Sequence, residues 1–419
     1  MTGPEAERWL LSLELFGMRF GLDRMRRLMT ALGHPERAFE SIHVVGTNGK
    51  SSTTRMIAAI LAQHGLRTGT YLSPHLISFG ERIRIDDHDL PAAEFGAAVS
   101  RARHATELVE RGLEPDDQVT QFEALTAAAY SELARRHVEV AVIEAGLGGR
   151  YDATNVIPSK VQVLTSVGLE HTRWLGPTLH DIAGEKLDVV QPGATLVLGA
   201  GLDPEVTEVA DRVAAERGAR IVHAGTDPGV EVGAPGAFQR RNFALAEAAA
   251  EAYLGGLQAD AVRAAAAQVR VPGRLQQIDS DPLTLLDGAH NADGMRALAE
   301  SLPEFVAGHD RVIAVVSILD DKDAAGMLAT LLRPPTEGVH IDALVFTNSH
   351  NPRTLPPPTL QSLTRQLMGP PTEVVAGPHQ ALARARELAG PGGVVIAAGS
   401  LYLVADLLAS GPREHASSL

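Results

Sequence analysis

The chain has 419 residues, 45% hydrophobic and 21% charged, a globular composition too long for one ordinary core, so two or three domains are expected. A formal net charge of −14 excludes the basic surface that non-specific binding to nucleic acid or an anionic membrane needs. The absence of cysteine excludes a disulfide framework, a thiol nucleophile and a zinc–thiolate site, and no run approaches the roughly 18 apolar residues of a spanning helix.

Taken in order, Met1 to Arg8 holds no apolar signal core, and the expectation is a soluble cytoplasmic enzyme. Residues 5–40 read as helical, with Trp9, Leu10, Leu13 and Leu15 before a Gly17–Gly21 break, then Met25, Leu28, Met29 and Leu32. Ile42 to Val45 is a short apolar run that reads as a buried strand. Gly46-Thr47-Asn48-Gly49-Lys50-Ser51-Ser52 follows it, and a helix pattern continues through Met56, Ile57, Ile60 and Leu61 to Gly65. Strand, glycine loop, lysine, hydroxyls and helix are the parts of a phosphate cradle, because glycines let backbone N–H groups turn toward an anion at a helix N-terminus. Lys50 is placed to reach outer phosphates, and Ser51 or Ser52 to bind magnesium. The general phosphate-loop pattern asks for glycine at position 44, where this chain has Val44.

Thr68 to Leu72 reads as the next strand, ending in Ser73-Pro74-His75-Leu76, and the charged, alternating 79–85 segment suggests a loop that folds over a ligand, with a surface hairpin as the plainer reading. Alanine-rich helix patterns at 91–111 and 120–136 flank an acidic break at Glu114-Pro115-Asp116-Asp117. In Thr120-Gln121-Phe122-Glu123 the spacing is that of a helix capping box. Val138 to Ile143 is a near-continuous apolar strand closed by Glu144, an acidic residue at the usual metal-side position of a phosphate-loop enzyme. A strand at 161–167 runs into Gly168-Leu169-Glu170-His171, a helix spans 178–190 with Glu185-Lys186, and strands follow at 195–198 and 220–223. A helix opens with Ala237 to Asn242, and another spans 260–269. Val271-Pro272-Gly273-Arg274 then marks a boundary between domains 1–270 and 271–419. The second domain alternates strands at 283–286, 312–317, 342–347, 373–375 and 394–397 with helices, and reads Pro356 to Pro358 as a rigid loop. Its strand ends carry Asp287-Gly288-Ala289-His290-Asn291, Asp321-Lys322-Asp323 and Gly399-Ser400-Leu401-Tyr402. It has no dinucleotide fingerprint. The expected fold is α/β: a mostly parallel phosphate-loop domain followed by a smaller Rossmann-like domain, with loops at the carboxyl ends of the strands converging on one edge.

Gly46 to Lys50 resembles the shortened phosphate loop of the Mur ligase superfamily. With the 73–76, 122–123, 144–155, 171, 185–186, 273–274, 287–291, 321–323 and 399–402 words, the chain resembles the folylpolyglutamate synthase / dihydrofolate synthase branch. The resemblance implies an ATP- and magnesium-dependent ligase: a folate or dihydropteroate carboxylate takes the γ-phosphoryl group of ATP, and the amine of glutamate displaces phosphate. It assigns Gly46, Thr47, Asn48, Gly49, Lys50, Ser51, Ser52, Asn242, Arg274 and Asp287 to ATP, and Ser52, Glu144, His171 and Lys186 to metal. Lys186 matches a lysine that this superfamily carbamylates, and Lys50, His171 and Lys186 are the groups nearest the chemistry. Ser73, Pro74, His75, Phe122 and Glu123 match the folate pocket, and His290 and Ser400 match residues near the glutamate. A monomer without nucleic-acid or membrane partners is expected.

The chain departs from the family in having Ser51 where glycine usually stands, Glu170 for aspartate before the histidine, and Leu187-Asp188-Val189 after the lysine. A Mur-type cell-wall ligase is the alternative within the superfamily, and the 73–76 and 146–155 words speak against it. A GTP-hydrolysing switch would need a guanine-reading Asn-Lys-x-Asp, which the chain lacks.

Overall fold

Apolar runs too short for helices pair into two separate sheets, and the computed structural model describes residues 1–14, 21–114, 116–332 and 339–409. Leu15, Gly17 and Pro115 of the expected pattern lie outside them. The chain divides into two compact units, Met1–Gly233 with Arg241–Val269, and Ala234–Arg240 with the chain from Arg270 on.

The first unit holds β1 (Glu40–Val45), β2 (Thr68–Tyr71), β3 (Ile83–Ile85), β4 (His88–Asp89), β5 (Val140–Glu144), β6 (Val161–Leu164), β7 (Thr195–Leu198) and β8 (Arg220–His223). Their order is β4-β3-β2-β5-β1-β6-β7-β8; β3 and β4 are antiparallel and the rest parallel. The 79–85 segment is thus a short helical turn followed by one strand of an edge hairpin, the plainer of its two sequence readings. All five residues of β5 are buried, as a strand covered on both faces requires. Helix Gln121–Arg135 presses Ala124, Ala127, Ala128 and Ala129 into the core beside Tyr71, Ala141 and Ile143. Small side chains there let the helix lie close to the sheet. On the other side Val45, Leu164, Leu196 and Leu198 pack with Ala183 and Leu187 of helix Leu179–Leu187. The connection from β1 runs to one side, to β2, and that from its neighbour β6 runs to the other, to β7. The carboxyl end of β1 is a topological switch point, where open α/β sheets bind ligands.

The second unit holds β9 (Gln276–Ser280), β10 (Leu283–Leu286), β11 (Val312–Val316), β12 (Ala343–Phe346), β13 (Thr372–Val374) and β14 (Val394–Ala398) in the order β13-β12-β11-β14-β10-β9. Only β9, absent from the sequence expectation, runs antiparallel. Leu285, Ala314, Val316, Leu344, Phe346 and Ile396 form the centre of its core. Pro357 and Pro358 open helix Pro357–Gln366 instead of forming a loop, as proline's fixed φ and missing N–H suit a first helical turn. Among the described residues no helix is long and apolar enough to cross a membrane.

Candidate active site

The phosphate loop starts later than the general pattern. Val44 is buried in β1, paired with Glu144 on one side and Val163 on the other, so the glycine expected there would interrupt the strand. Gly46, at φ +151°, is the first loop residue, and a Cβ on it would stand 1.9 Å from Thr165 Oγ1. Gly49, at φ +86°, precedes helix Lys50–Gln63, and Asn242 Oδ1 lies 2.7 Å from where its Cβ would be. Both positions are closed to side chains by conformation and by contact. Lys50 donates from Nζ to Gly46 O (3.0 Å) and Thr47 O (3.2 Å), curling its cation over the loop.

Glu144, 1% exposed at the end of β5, joins two neighbouring segments. Its Oε1 accepts from Ser51 Oγ at 2.8 Å and its Oε2 from Ser73 N–H at 3.0 Å. Ser52, the serine the resemblance points to, is buried in the same first helical turn. Lys186, 4% exposed, donates from Nζ to Gly46 O at 3.0 Å. Burial, then repulsion from Lys50, brings its ammonium down to about 7, against weaker pulls from Glu170 and Asp152. An amine with that pKa is uncharged in about half the molecules at neutral pH, as carbamate formation requires. His171 is exposed at φ +54°, on the turn before the short helix Thr172–Leu175.

Ser73 and His75 are buried, and His75 Nδ1 accepts from Arg82 Nε at 2.9 Å with its ring against Phe79. Glu81 accepts from the N–H groups of Leu76, Ile77 and Ser78, so the charged segment noted in the sequence is the scaffold of the Ser73–Leu76 loop. Pro74 follows Ser73 in that loop across a cis peptide. Phe122 lies 6.0 Å from Tyr71, ring to ring, and its ring closes to 2.7 Å of a Cβ placed on Gly146. Glu123 behaves as the spacing predicts: it closes a capping box with Thr120, and the buried Arg24 donates Nε–H to both of its oxygens at 3.0 Å. Its carboxylate therefore orders the start of the helix that presents Phe122.

Asp152 and Thr154, inside the 144–155 segment, add a polar pair that the sequence reading missed. Asp152 accepts from Leu147 N–H (2.8 Å) and from Thr154, and burial pushes its carboxyl up. His43 Nε2 lies 2.8 Å from Thr154 Oγ1, and complete burial holds His43 neutral, its pKa down to about 3. Asp152 caps the short helical turn Ala153–Val156, and an i, i+2 Asp–Thr pair is a turn signal legible in the sequence. In the second unit Asp287 is 2% exposed and accepts from Leu275 N–H (2.9 Å) and Ala289 N–H (2.8 Å); burial raises its pKa against the Arg274 charge. Arg274 Nη1 fills the space a Cβ on Gly288 would take, 2.0 Å away. His290 Nδ1 lies 2.8 Å from Gly288 O, and Gly399 N–H donates to Ala289 O at 3.0 Å, tying the His290 loop to the one carrying Ser400. Ser400, 1% exposed, caps the last helix through Tyr402 N–H.

Among the described residues no three His, Asp or Glu side chains converge as a ready metal cage. The oxygen donors at Glu144 nonetheless suit magnesium, a hard cation that takes one or two carboxylates, hydroxyls and water beside the phosphates.

Residues 44–233 match the Mur ligase middle domain and residues 273–401 the Mur ligase glutamate ligase domain. The chain is 35% identical to the Mycobacterium tuberculosis dihydrofolate synthase/folylpolyglutamate synthase, over 83% of itself and 78% of that relative. It is 33% identical to a probable bifunctional folylpolyglutamate synthase/dihydropteroate synthase of Haloferax volcanii over 97% of itself, but spans half of that relative's length. The structure of Mycobacterium tuberculosis folylpolyglutamate synthase complexed with ADP superposes with a TM-score of 0.88 at 32% identity, covering 98% of this chain and 99% of the other. A bifunctional Yersinia pestis folylpolyglutamate synthase/dihydrofolate synthase complexed with AMPPNP and manganese gives 0.82 at 29% identity, covering 97% of each. The chain belongs to the folylpolyglutamate synthase/dihydrofolate synthase family of Mur ligases.

Proposed function

We propose that the chain joins L-glutamate to the carboxylate of a folate or dihydropteroate with ATP as co-substrate, acting as a cytoplasmic monomer. The observation that carries this reading is Glu144, whose one buried carboxylate takes hydrogen bonds from Ser51 of the phosphate-loop helix and from Ser73 of the neighbouring substrate-side loop. That contact brings the nucleotide side and the carboxylate side of a ligation to a common point.

A carboxylate oxygen of the pterin substrate attacks the γ-phosphorus and ADP leaves, giving an acyl phosphate. The glutamate nitrogen then attacks the acyl carbon, loses its proton, and phosphate leaves. Both the attacking carboxylate and the γ-phosphoryl group are anionic, so the first step needs cations between them. Magnesium, held by Ser52, Glu144 and His171, supplies charge neutralisation there when bound. Lys50 leaves its two loop carbonyls for the phosphates, and the Gly46–Gly49 backbone orients them. Lys186, in its carbamylated form, adds oxygen donors beside the loop. Phe122 offers a ring face to the flat pterin, and the Ser73–His75 loop is assigned to the same substrate. Asn242, packed on Gly49, is assigned to the nucleotide, as are Arg274 and Asp287; His290 and Ser400 are assigned to the incoming glutamate.

The test is glutamate-dependent ADP formation measured side by side with dihydropteroate and with tetrahydrofolate. ADP should require the pterin carboxylate, and sustained turnover should require glutamate as well. Rapid ATP hydrolysis with neither substrate present would overturn the ligase reading.

A further inference from the structure

We propose that Thr165 and Ser166, at the end of β6, are positioning residues that strap the phosphate loop to the turn carrying His171, so that nucleotide grip and metal-side geometry are set together. The inference rests on the phosphate-binding reading of Gly46–Lys50. It concerns how this loop is held, not what it binds.

The observations form one network. Thr165 N–H continues the β1–β6 ladder by donating to Val45 O at 2.9 Å. Its hydroxyl then reaches over Gly46 and donates to Asn48 O at 2.6 Å. Ser166 Oγ accepts from Asn48 N–H at 2.9 Å and lies 3.1 Å from Asn48 O, so both polar backbone groups of Asn48 are held by these two hydroxyls. One residue back, Thr47 N–H donates to Ser166 O at 2.8 Å, and Thr47 Oγ1 accepts from Gly168 N–H at 3.0 Å. His171 stands three residues beyond Gly168.

The surroundings leave the strap no slack. Thr165 Oγ1 occupies the space beside Gly46, as its 1.9 Å approach to a Cβ there requires. On the far side a Cβ on Gly199 would come within 2.3 Å of Thr165 O. Thr165 is therefore hemmed in between two glycines, and its hydroxyl lies closer to Asn48 O, at 2.6 Å, than to its other acceptor, Val45 O, at 3.3 Å.

Two physical consequences follow. An unstrapped glycine loop samples many backbone states, and binding an anion to it must offset that ordering entropy. A loop already held at Thr47 and Asn48 presents its N–H groups and Lys50 without that cost. Because hydrogen bonds tie the loop to the 165–168 segment and that segment leads into His171 three residues on, a displacement of the loop moves the start of the turn that carries the histidine.

The experiment measures the dissociation constant of ADP with magnesium by calorimetric titration, together with KM for ATP, KM for the folate acceptor and the melting temperature. Thr165→Val keeps the shape of the side chain and removes its hydroxyl; Ser166→Ala removes the second contact. Each should weaken ADP binding and raise KM for ATP about tenfold, the size expected for one lost hydrogen bond. KM for the acceptor should stay within twofold, and Thr165→Ser should restore ADP binding because it returns the hydroxyl. If both variants bind ADP as tightly as the parent, whatever their melting temperatures, the hydroxyls only support the fold and the proposal is overturned. If Thr165→Val does not fold, the Ser166→Ala result decides in the same way. Failure of the parent chain itself to bind ADP would instead sink the phosphate-loop reading, and the strap with it.

Discussion

At the scale of single residues the cradle contains two adjacent serines in different settings. Ser51 donates to Glu144, while Ser52 is buried in the same turn. The family usually has glycine at position 51, so the chemistry proceeds there without that hydroxyl, and Ser51 is best understood as an added brace on the Glu144 carboxylate. Lys186 differs again: a cation buried against Gly46 O, beside Lys50, is costly unless it is neutral or modified. An alanine scan of these three side chains, read by magnesium titration of ADP formation, should therefore be graded. Ser52→Ala should raise the magnesium requirement more than Ser51→Ala, and Lys186→Ala should lose most ligation while melting like the parent. Ser51→Ala proving worse than Ser52→Ala would hand the metal to Ser51. Full turnover by Lys186→Ala would remove it from the chemistry.

At the scale of elements, β1 carries both the site and a titration. His43 is completely buried and neutral, with its pKa down to about 3, whereas an unfolded chain protonates it near the ordinary 6.5. Between those values the unfolded chain holds a proton that the folded one does not, so stability falls as pH drops from about 6.5 toward 3. His43→Gln should flatten that part of the stability curve in chemical denaturation at stepped pH; an unchanged slope would mean other groups drive acid unfolding. The apolar runs that became β7 and β10 could be read end to end, because a mostly buried strand has no polar face to blur its limits. Two of the outer elements could not. Gln276–Ser280 has a single apolar residue, Ile278, and in the β3–β4 hairpin the alternation of Ile83-Arg84-Ile85 is too short and too charged to choose between strand and loop. Pro356 to Pro358 misled for a different reason, since proline both interrupts a chain and starts a helix. In the site, Glu144 and the Thr120–Glu123 cap were legible from local spacing. The Thr165–Asn48 contact was not, because its partners lie 117 positions apart and nothing local marks either one.

At the scale of the whole molecule the proposed groups fall into two sets. Lys50, Glu144, His171, Lys186 and Asn242 belong to the first unit, and Arg274, Asp287, His290 and Ser400 to the second. The first set includes the phosphate loop with its internal supports: Thr47 and Asn48 are held from 165–168, and Gly49 is covered by Asn242. Residues 1–270 contain every strand of the eight-stranded sheet, so a fragment ending there keeps its ladder intact. It loses the Asp287 and Ser400 loops, which are joined to each other through Gly399 and Ala289. The fragment should therefore melt cooperatively and bind ADP weakly, yet form no glutamate adduct even with all substrates at saturation. Cooperative folding with no ADP binding would place the essential nucleotide contacts among Arg274 and Asp287. Ligation by the fragment would show that the second unit contributes nothing to the reaction, against the assignment of His290 and Ser400 to glutamate.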